Sequence, residues 1–302
     1  MAEPTGSRTA AEVASQPACW RQAAALAADV AGLLPAPGER VAVAGCGTSW
    51  FMAQAYAAAR EAAGQGETDA FAASELPPGR SYDRVLVLSR SGTTTEILRL
   101  LEELGGRVPT VAITAVPDTP VAAGADAVIV LDFADEESVV QTRFATSELA
   151  LLRTHLGQDM GPVADAAQQI LAEPLPAAAL AARQLTFLGT GWSYGLANEA
   201  ALKLREAAGM WTESYPAMEY RHGPVAVTGE GSVVWVLGPA PDGLAGEVEA
   251  AGGTIWASPQ DPMAELVRVH RLAVALAAER GLDPDRPRNL SRSVILLPPL
   301  SR

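Results

Sequence analysis

The chain has 302 residues and a mass of 31.3 kDa, enough for one large α/β domain or two domains of about 150 residues each. Hydrophobic residues make up 49% and charged residues 19%, which excludes a disordered chain. The net charge of −13 argues against a nucleic-acid or anionic-membrane partner, and no apolar run reaches the roughly 18 residues of a membrane span. Two cysteines are too few for a disulfide scaffold, and the first residues do not resemble a secretion signal. We therefore expect a cytoplasmic protein that acts on a small molecule.

Short apolar runs alternate with stretches of helical periodicity along the first half of the chain. Residues 1–19 precede this pattern and are polar and rich in alanine and proline, so we expect a loose arm there. The predicted strands span residues 40–45, 85–89, 110–114 and 128–133. The predicted helices span residues 20–34, 50–63, 95–104, 138–156 and 163–172. Strands that alternate with helices indicate a parallel sheet covered on both faces.

The same plan restarts at Gly189, where an apolar strand runs into a glycine turn as it does at Gly45. Further strands are predicted at 185–189, 233–238 and 254–258, and helices at 193–208 and 262–280. The restart indicates two tandem α/β/α subdomains of flavodoxin-like type, each a parallel sheet between helices. We place them at residues 20–160 and 161–282, followed by a proline-rich tail at 283–302.

A Gly-X-Gly turn follows the first strand of each half, as it does in the dinucleotide-binding fold. That fold needs a third glycine three residues further on, so that the helix can approach the sheet. Trp50 occupies this place in the first half and Tyr194 in the second. NAD binding is therefore disfavoured, and no cofactor is predicted. No cluster of His, Cys and carboxylate residues has ligand spacing, so no metal is predicted either.

The segment from Ser89 to Thr94, S-R-S-G-T-T, joins a predicted strand to a predicted helix. Hydroxyl groups and free backbone N–H groups at the positive end of a helix bind phosphate without a lysine. Serine and threonine are equally common as ordinary helix caps. Both interpretations remain open from the residues alone. Thr48 and Ser49, on the neighbouring turn, would add donors.

Five motifs together resemble sugar isomerase (SIS) domains, and their order and spacing resemble the isomerase half of glucosamine-6-phosphate synthase and its relatives. They are C-G-T-S at 46–49, S-R-S-G-T-T-T-E at 89–96, E-x-x-V-x-Q-T-R at 136–143, G-T-G-W-S-Y-G-L-A-N-E-A-A-L-K-L-R-E at 189–206 and E-Y-R-H-G-P at 219–224. Those relatives include amino-sugar-phosphate isomerases and deaminases. Nothing in this chain corresponds to the glutamine-hydrolysing half of the synthase, so we do not expect ammonia transfer from glutamine.

The resemblance implies that the hydroxyl-rich turns hold a sugar phosphate. The implied substrate-binding residues are Thr48, Ser49, Ser89, Arg90, Ser91, Thr94 and Arg292. The second half has no such turn, because its corresponding strand ends in G-P-A-P at 238–241. One sugar phosphate per chain is therefore expected.

Glu199, Lys203 and Glu206 share one face of a predicted helix because their spacing is i, i+4 and i+7. Taken alone, this pattern favours a solvated ion pair. The resemblance instead matches Glu206 to the family's general base, which moves the proton on C2 of the sugar, and Lys203 to a neighbour of that base. Lys203 is also the only lysine in a chain that otherwise uses arginine.

His222 precedes a Gly-Pro pair in a predicted loop. The resemblance implies that this histidine opens the sugar ring, often in the neighbouring subunit's site, and that Glu219 orients it. A neutral imidazole suits this proton transfer. A loop that merely ends a helix is the other interpretation. We expect a homodimer that shares His222 across its interface.

The tail segment P-R-N-L-S-R-S-V at 287–294 resembles the synthase segment that closes over the sugar, except that Arg292 replaces a lysine. A guanidinium group cannot form an imine with a ketose, so Arg292 is expected to clamp a phosphate or polarise an oxygen. The expected function is therefore isomerisation or deamination of glucosamine 6-phosphate or N-acetylglucosamine 6-phosphate. The alternatives are a dehydratase that eliminates the C3 hydroxyl of N-acetylglucosamine 6-phosphate and a non-catalytic phosphosugar sensor.

Overall fold

In the computed structural model, which describes residues 6–296, nine strands form two separate parallel sheets. The first sheet has the strand order β2-β1-β3-β4-β5. Its strands are β1 Val41–Gly45, β2 Thr68–Ala72, β3 Arg84–Leu88, β4 Thr110–Thr114 and β5 Ala127–Val130. The register of β1 aligns Val41 with Thr68 on one side and with Arg84 on the other. This strand order is the flavodoxin-like arrangement that the sequence predicts.

The second sheet repeats the arrangement with one strand fewer, in the order β7-β6-β8-β9. Its strands are β6 Gln184–Gly189, β7 Thr212–Pro216, β8 Ser232–Leu237 and β9 Thr254–Ala257. All of its pairings are parallel. The fold is thus α/β with two similar halves, which confirms the predicted fold class.

Helices cover both faces of each sheet. They are α1 Ser7–Leu26, α2 Thr48–Ala62, α3 Thr95–Leu104, α4 Pro120–Gly124, α5 Arg143–His155, α6 Met160–Ala172, α7 Ala177–Leu180, α8 Ser193–Ala208, α9 Leu244–Ala250 and α10 Pro262–Glu279. One large core joins both halves, with Val41 and Val43 of the first sheet and Phe187 and Trp235 of the second. Smaller cores lie on the outer faces, beneath α3 and α9. Among the described helices none is long and apolar enough to cross a membrane.

The expected loose arm at 1–19 is wrong for its described part, because residues from Ser7 onward belong to α1. Pro17 lies inside this helix and cannot donate to the carbonyl of Val13. The side-chain amide of Gln16 donates to that carbonyl instead, at 3.1 Å. Trp20 is fully buried, and its indole N–H donates to Thr146 of α5 at 2.8 Å. The helix is therefore part of the shared core, and residues 1–5 lie outside the described residues.

The start of α1 is capped from the other end of the chain. The carboxylate of Asp285 accepts the backbone N–H and the hydroxyl of Thr9, at 2.8 and 2.6 Å. A carboxylate at the positive end of a helix is stabilising. The backbone carbonyl of Asp285 also accepts the N–H of Val139 at 3.1 Å. These contacts fix the start of the tail against the first half, and its last residues, 297–302, lie outside the described residues.

Candidate functional site

A pocket lies where the chain leaves β1 and β3, the two strands at which the order of the first sheet reverses. Ligands of open α/β sheets bind at such a switch point, outside the carboxyl ends of the strands. The helices α2 and α3 both begin here, so their N-terminal N–H groups and positive dipole ends face the pocket. The pocket has a volume of about 190 Å³.

The pocket draws its lining from three distant parts of the chain. The first half contributes Cys46, Gly47, Thr48, Ser49, Leu88, Ser89, Arg90, Ser91, Thr94, Val139 and Gln141, the second half contributes Glu206, and the tail contributes Leu290, Ser291, Arg292, Ser293 and Val294. All of the predicted phosphate-binding residues are therefore gathered in one place. Gln141, Ser291 and Ser293 also line the pocket, although the sequence analysis placed them in motifs without giving them a role.

Short local hydrogen bonds hold the hydroxyl-rich turn after β3. The hydroxyl of Ser89 accepts the backbone N–H of Gly92 at 3.2 Å, and that of Ser91 accepts the N–H of Thr93 at 3.3 Å. Gly92 has a φ of +64°, and a side chain there would place its Cβ 2.6 Å from the Cβ of Thr119. Only glycine fits this turn, because the backbone is left-handed and crowded.

Glu206 is the carboxylate that the second half brings to the pocket. Lys203 donates to its Oε2 at 2.5 Å and to the hydroxyl of Thr48 at 3.1 Å, and its Nζ lies 3.4 Å from Oε1 of Glu199. The side chains of Lys203 and Glu199 are each 1% exposed, whereas that of Glu206 is 20% exposed. Burial lowers the pKa of Lys203, but the carboxylates of Glu199 and Glu206 outweigh burial, so the pKa lies above its ordinary value. The ammonium thus stays charged and holds Glu206 at the pocket wall.

Two further titratable residues lie close to Glu199 and are not part of the pocket lining. Glu148 of α5 is fully buried, and burial, with Glu136 and Glu199 nearby, raises its pKa well above the ordinary value. His270 of α10 has its Nε2 3.8 Å from Oε1 of Glu199, and burial lowers its pKa. The sequence analysis assigned no role to either residue. Their only sequence signal is a polar residue within an otherwise apolar helical stretch.

The two arginines predicted to bind substrate direct their guanidinium groups at protein atoms. Arg90 is buried and donates to the carbonyls of Ser138, Val139 and Arg292, at 3.1 to 3.2 Å. The guanidinium of Arg292 pairs with Asp135 and donates to the carbonyl of Glu136. In this structure both arginines tie the pocket walls together, and their contact with substrate stays a prediction.

The tail runs along the open side of the pocket. The hydroxyl of Thr93 donates to that of Ser293 at 3.0 Å, and the N–H of Thr95 donates to the carbonyl of Val294 at 3.1 Å. Leu296 donates its N–H to the hydroxyl of Thr95 at 2.9 Å. The tail thereby covers the start of α3, where the hydroxyl-rich turn ends.

His222 and Glu219 do not join the pocket. Both lie in a short 3-10 turn, Glu219–His222, that follows β7, and both are exposed. Two large exposed hydrophobic residues flank this turn in the chain, Met218 and Val227, with exposures of 54% and 56%. Within one chain, His222 therefore does not line the site that contains Glu206.

Comparisons with known proteins agree with this fold. The sequence model of the SIS domain matches residues 36–154 and 180–242. The chain is 28% identical over 265 residues to the glutamine–fructose-6-phosphate aminotransferase (isomerizing) of Clostridium acetobutylicum, an alignment that covers 70% of this chain and 43% of the relative. The chain spans about half the length of the curated relatives it matches, between 43% and 56%.

Solved structures show the same architecture. The glucosamine-6-phosphate deaminase of Thermotoga maritima aligns with a TM-score of 0.79 at 24% identity, covering 96% of this chain and 100% of the other. The C-terminal domain of the glucosamine-fructose-6-phosphate aminotransferase of Francisella tularensis aligns with a TM-score of 0.74 at 20% identity, covering 93% and 98%. At these identities the likeness establishes the fold.

Proposed function

Because the chain belongs to the SIS domain family, we propose that its pocket binds an amino-sugar 6-phosphate and catalyses ring opening followed by proton transfer at C2. The proposed substrates are glucosamine 6-phosphate and N-acetylglucosamine 6-phosphate. The names of the relatives support this class, since they include an isomerizing aminotransferase that uses fructose 6-phosphate and a glucosamine-6-phosphate deaminase.

The observation that carries the proposal is the meeting of Glu206 with the hydroxyl-rich turns in one pocket. The hydroxyls and the N–H groups at the starts of α2 and α3 suit a phosphate dianion. A carboxylate at the same pocket suits the removal of a proton from carbon. A sensor needs the first feature and has no need of the second.

The residues around Glu206 divide the chemistry between them. Glu206 takes the proton from C2 of the open-chain sugar, which leaves an enediol or enolamine. Lys203 holds the carboxylate in place by the 2.5 Å hydrogen bond. Return of the proton to C1 gives the ketose, and when C2 carries an amino group the resulting imine adds water and releases ammonia.

We assign ring opening to His222 of a second copy of the chain. This assignment is supported by the exposure of His222 and by the exposed hydrophobic residues Met218 and Val227, which lie on either side of it in the chain and which a dimer would cover. Mixing Glu206→Gln chains with His222→Ala chains tests it, because only a shared site regenerates an intact Glu206 and His222 pair. Recovery of about a quarter of wild-type activity is the expectation if equal amounts of the two chains exchange at random, because half of the dimers are then heterodimers and each has one intact site of two. No recovery, in mixtures shown to contain heterodimers, would contradict the shared site.

The fate of the intermediate separates the isomerase or deaminase from a dehydratase. Arg292 stands where the synthase has a lysine, and a guanidinium does not form an imine. Elimination of the C3 hydroxyl from N-acetylglucosamine 6-phosphate is the second candidate, because it uses the same C2 proton removal and needs no imine.

Proton NMR in D₂O with hexose, hexosamine and N-acetylhexosamine 6-phosphates tests the proposal directly. Deuterium at C1 or C2 with a ketose product indicates isomerisation, ammonia release indicates deamination, and a new vinylic proton indicates dehydration. Glu206→Gln should abolish exchange and retain binding, whereas Glu213→Gln, a partly buried glutamate outside the pocket, should behave as wild type. Saturable binding without deuterium exchange on any substrate would refute the proposed catalytic function and leave the phosphosugar sensor as the function.

A further inference from the structure

A second cavity of about 670 Å³ lies on the other side of Glu206. Its walls carry four arginines, Arg205, Arg280, Arg286 and Arg288, and we name it the arginine cavity. Its acidic lining residues are Glu206 and Asp283 alone, among the part of the chain that the structure describes. Such a local excess of positive charge is unexpected in a chain with a net charge of −13.

The four guanidinium groups differ in what they already bind. Arg205 donates to the carbonyl of Thr212 at 3.0 Å, and Arg280 donates to the carbonyl of Ala208 at 2.9 Å. Each of these bonds uses one of the five N–H donors of a guanidinium and anchors the side chain at the cavity wall. The side chains of Arg286 and Arg288 make no ion pair or hydrogen bond to any residue between 6 and 296, and both residues are exposed. Their charges are therefore available to a ligand.

The arginine cavity and the pocket share Glu206 as a common wall residue. The tail joins them as well, since residues 286–289 line the cavity and residues 290–294 line the pocket. In an open-chain sugar 6-phosphate, C1 is the end furthest from the phosphate. With the phosphate at the hydroxyl-rich turns and C2 at Glu206, the C1 end points toward the arginine cavity.

We propose that the arginine cavity binds negative charge at the C1 end of the ligand, so that the site recognises 6-phosphorylated sugar acids as well as its substrate. The inference rests on the proposed function, which supplies the orientation of the sugar. Removal of the C2 proton places negative charge on the oxygen of C1, and fixed guanidinium groups stabilise such charge. A carboxylate at C1 carries that charge permanently and therefore resembles the intermediate.

A pair of stable ligands isolates the effect of this charge. The open-chain compounds 6-phosphogluconate and glucitol 6-phosphate have the same carbon chain and the same phosphate, and they differ at C1 in a carboxylate or a hydroxymethyl group. Isothermal titration calorimetry measures both without any need for turnover. We expect the wild type to bind the acid at least about tenfold more tightly, since a charge-assisted hydrogen bond contributes about that factor.

The double variant Arg286→Gln, Arg288→Gln should lose this preference and keep its affinity for glucitol 6-phosphate. Arg99→Gln is the matched control, because Arg99 is exposed on α3 outside both cavities and its loss changes the net charge in the same direction. Equal binding of the two ligands by the wild type, or a preference that survives in the double variant, would overturn the inference and leave the proposed function standing. Failure of both ligands to bind the wild type would overturn the phosphate pocket itself.

Discussion

The buried ammonium of Lys203 offers the sharpest test of how the site is built. Lys203→Met removes the charge while keeping a side chain of similar length. It leaves Glu199, 1% exposed, without the cation that lies 3.4 Å away. Breaking a buried ion pair by removing one partner costs about 3–5 kcal/mol, because the remaining charge is not solvated. Glu206 is 20% exposed and keeps contact with water, so most of this loss belongs to Glu199.

Urea unfolding of four proteins measures the effect, namely the wild type, Lys203→Met, Glu199→Gln and the double variant. The double variant contains neither charge, and we expect it to be more stable than Lys203→Met alone by about 1–3 kcal/mol. If Lys203→Met lowers the free energy of unfolding by less than about 1 kcal/mol, the buried ion pair contributes no more than a surface ion pair does, and the reasoning is refuted. A double variant as unstable as the sum of the single variants would also refute the reasoning.

Three further changes test the phosphate pocket, the buried acid and the core. Ser91→Ala with Thr94→Val should raise KM for sugar 6-phosphates by about tenfold for each lost hydrogen bond to phosphate, and an unchanged KM would place the phosphate elsewhere. The raised pKa of Glu148 means that the folded protein holds a proton that the unfolded chain releases above about pH 4.5, so stability falls as the pH rises past that value. Glu148→Gln should remove this fall and stabilise the protein at pH 7. Urea unfolding between pH 4 and pH 8 measures the effect, and a variant less stable than the wild type at pH 8 would contradict the expectation. Trp20→Ala should cost about 3–5 kcal/mol of unfolding free energy, whereas Trp211→Ala, at an 82% exposed residue, should cost less than about 0.5 kcal/mol.

The sequence predicts all of the strands that are buried on both faces, and also the partly buried edge strands β5 and β9. The central strands β1 and β3 are almost wholly buried, so their residues read as unbroken apolar runs. The edge strands β2 and β7, with the sequences T-D-A-F-A and T-E-S-Y-P, escaped prediction. Most of their residues are only partly buried, so polar residues and a terminal proline are tolerated and no period is visible.

The part of α1 before Trp20 was missed for a different reason. Its proline leaves the carbonyl of Val13 without the usual backbone donor, which Gln16 replaces, and its cap is supplied by Asp285 from the far end of the chain. Neither contact produces a recognisable pattern in the sequence near α1. The burial of Glu148 and His270 is likewise decided by how α5, α8 and α10 pack together, whereas the hydroxyl-rich turns lie beside the strands that position them and could be predicted.

The contact between the two halves depends on one glycine in α8. A Cβ at Gly195 would lie 2.7 Å from the backbone nitrogen of Ala55 and would also meet the carbonyl oxygen of Phe51, both in α2. Backbone atoms cannot move aside as a side chain can, so Gly195→Ala must push the two helices apart. The helix α2 begins at Thr48 and α8 carries Lys203, so the 3.1 Å hydrogen bond between them reports this spacing.

We expect Gly195→Ala to lose about 1–3 kcal/mol of stability and up to about 100-fold in kcat, because the proposed base, Glu206, lies in one half and the proposed phosphate site lies in the other. Gly246→Ala is the matched control, since Gly246 is exposed in α9 and its Cβ would meet open space. It should leave kcat unchanged and raise stability slightly, as alanine favours a helix. A Gly195→Ala protein with wild-type kcat would mean that catalysis does not depend on the spacing of α2 and α8, and the assignment of Glu206 to a site shared by the two halves would then fail.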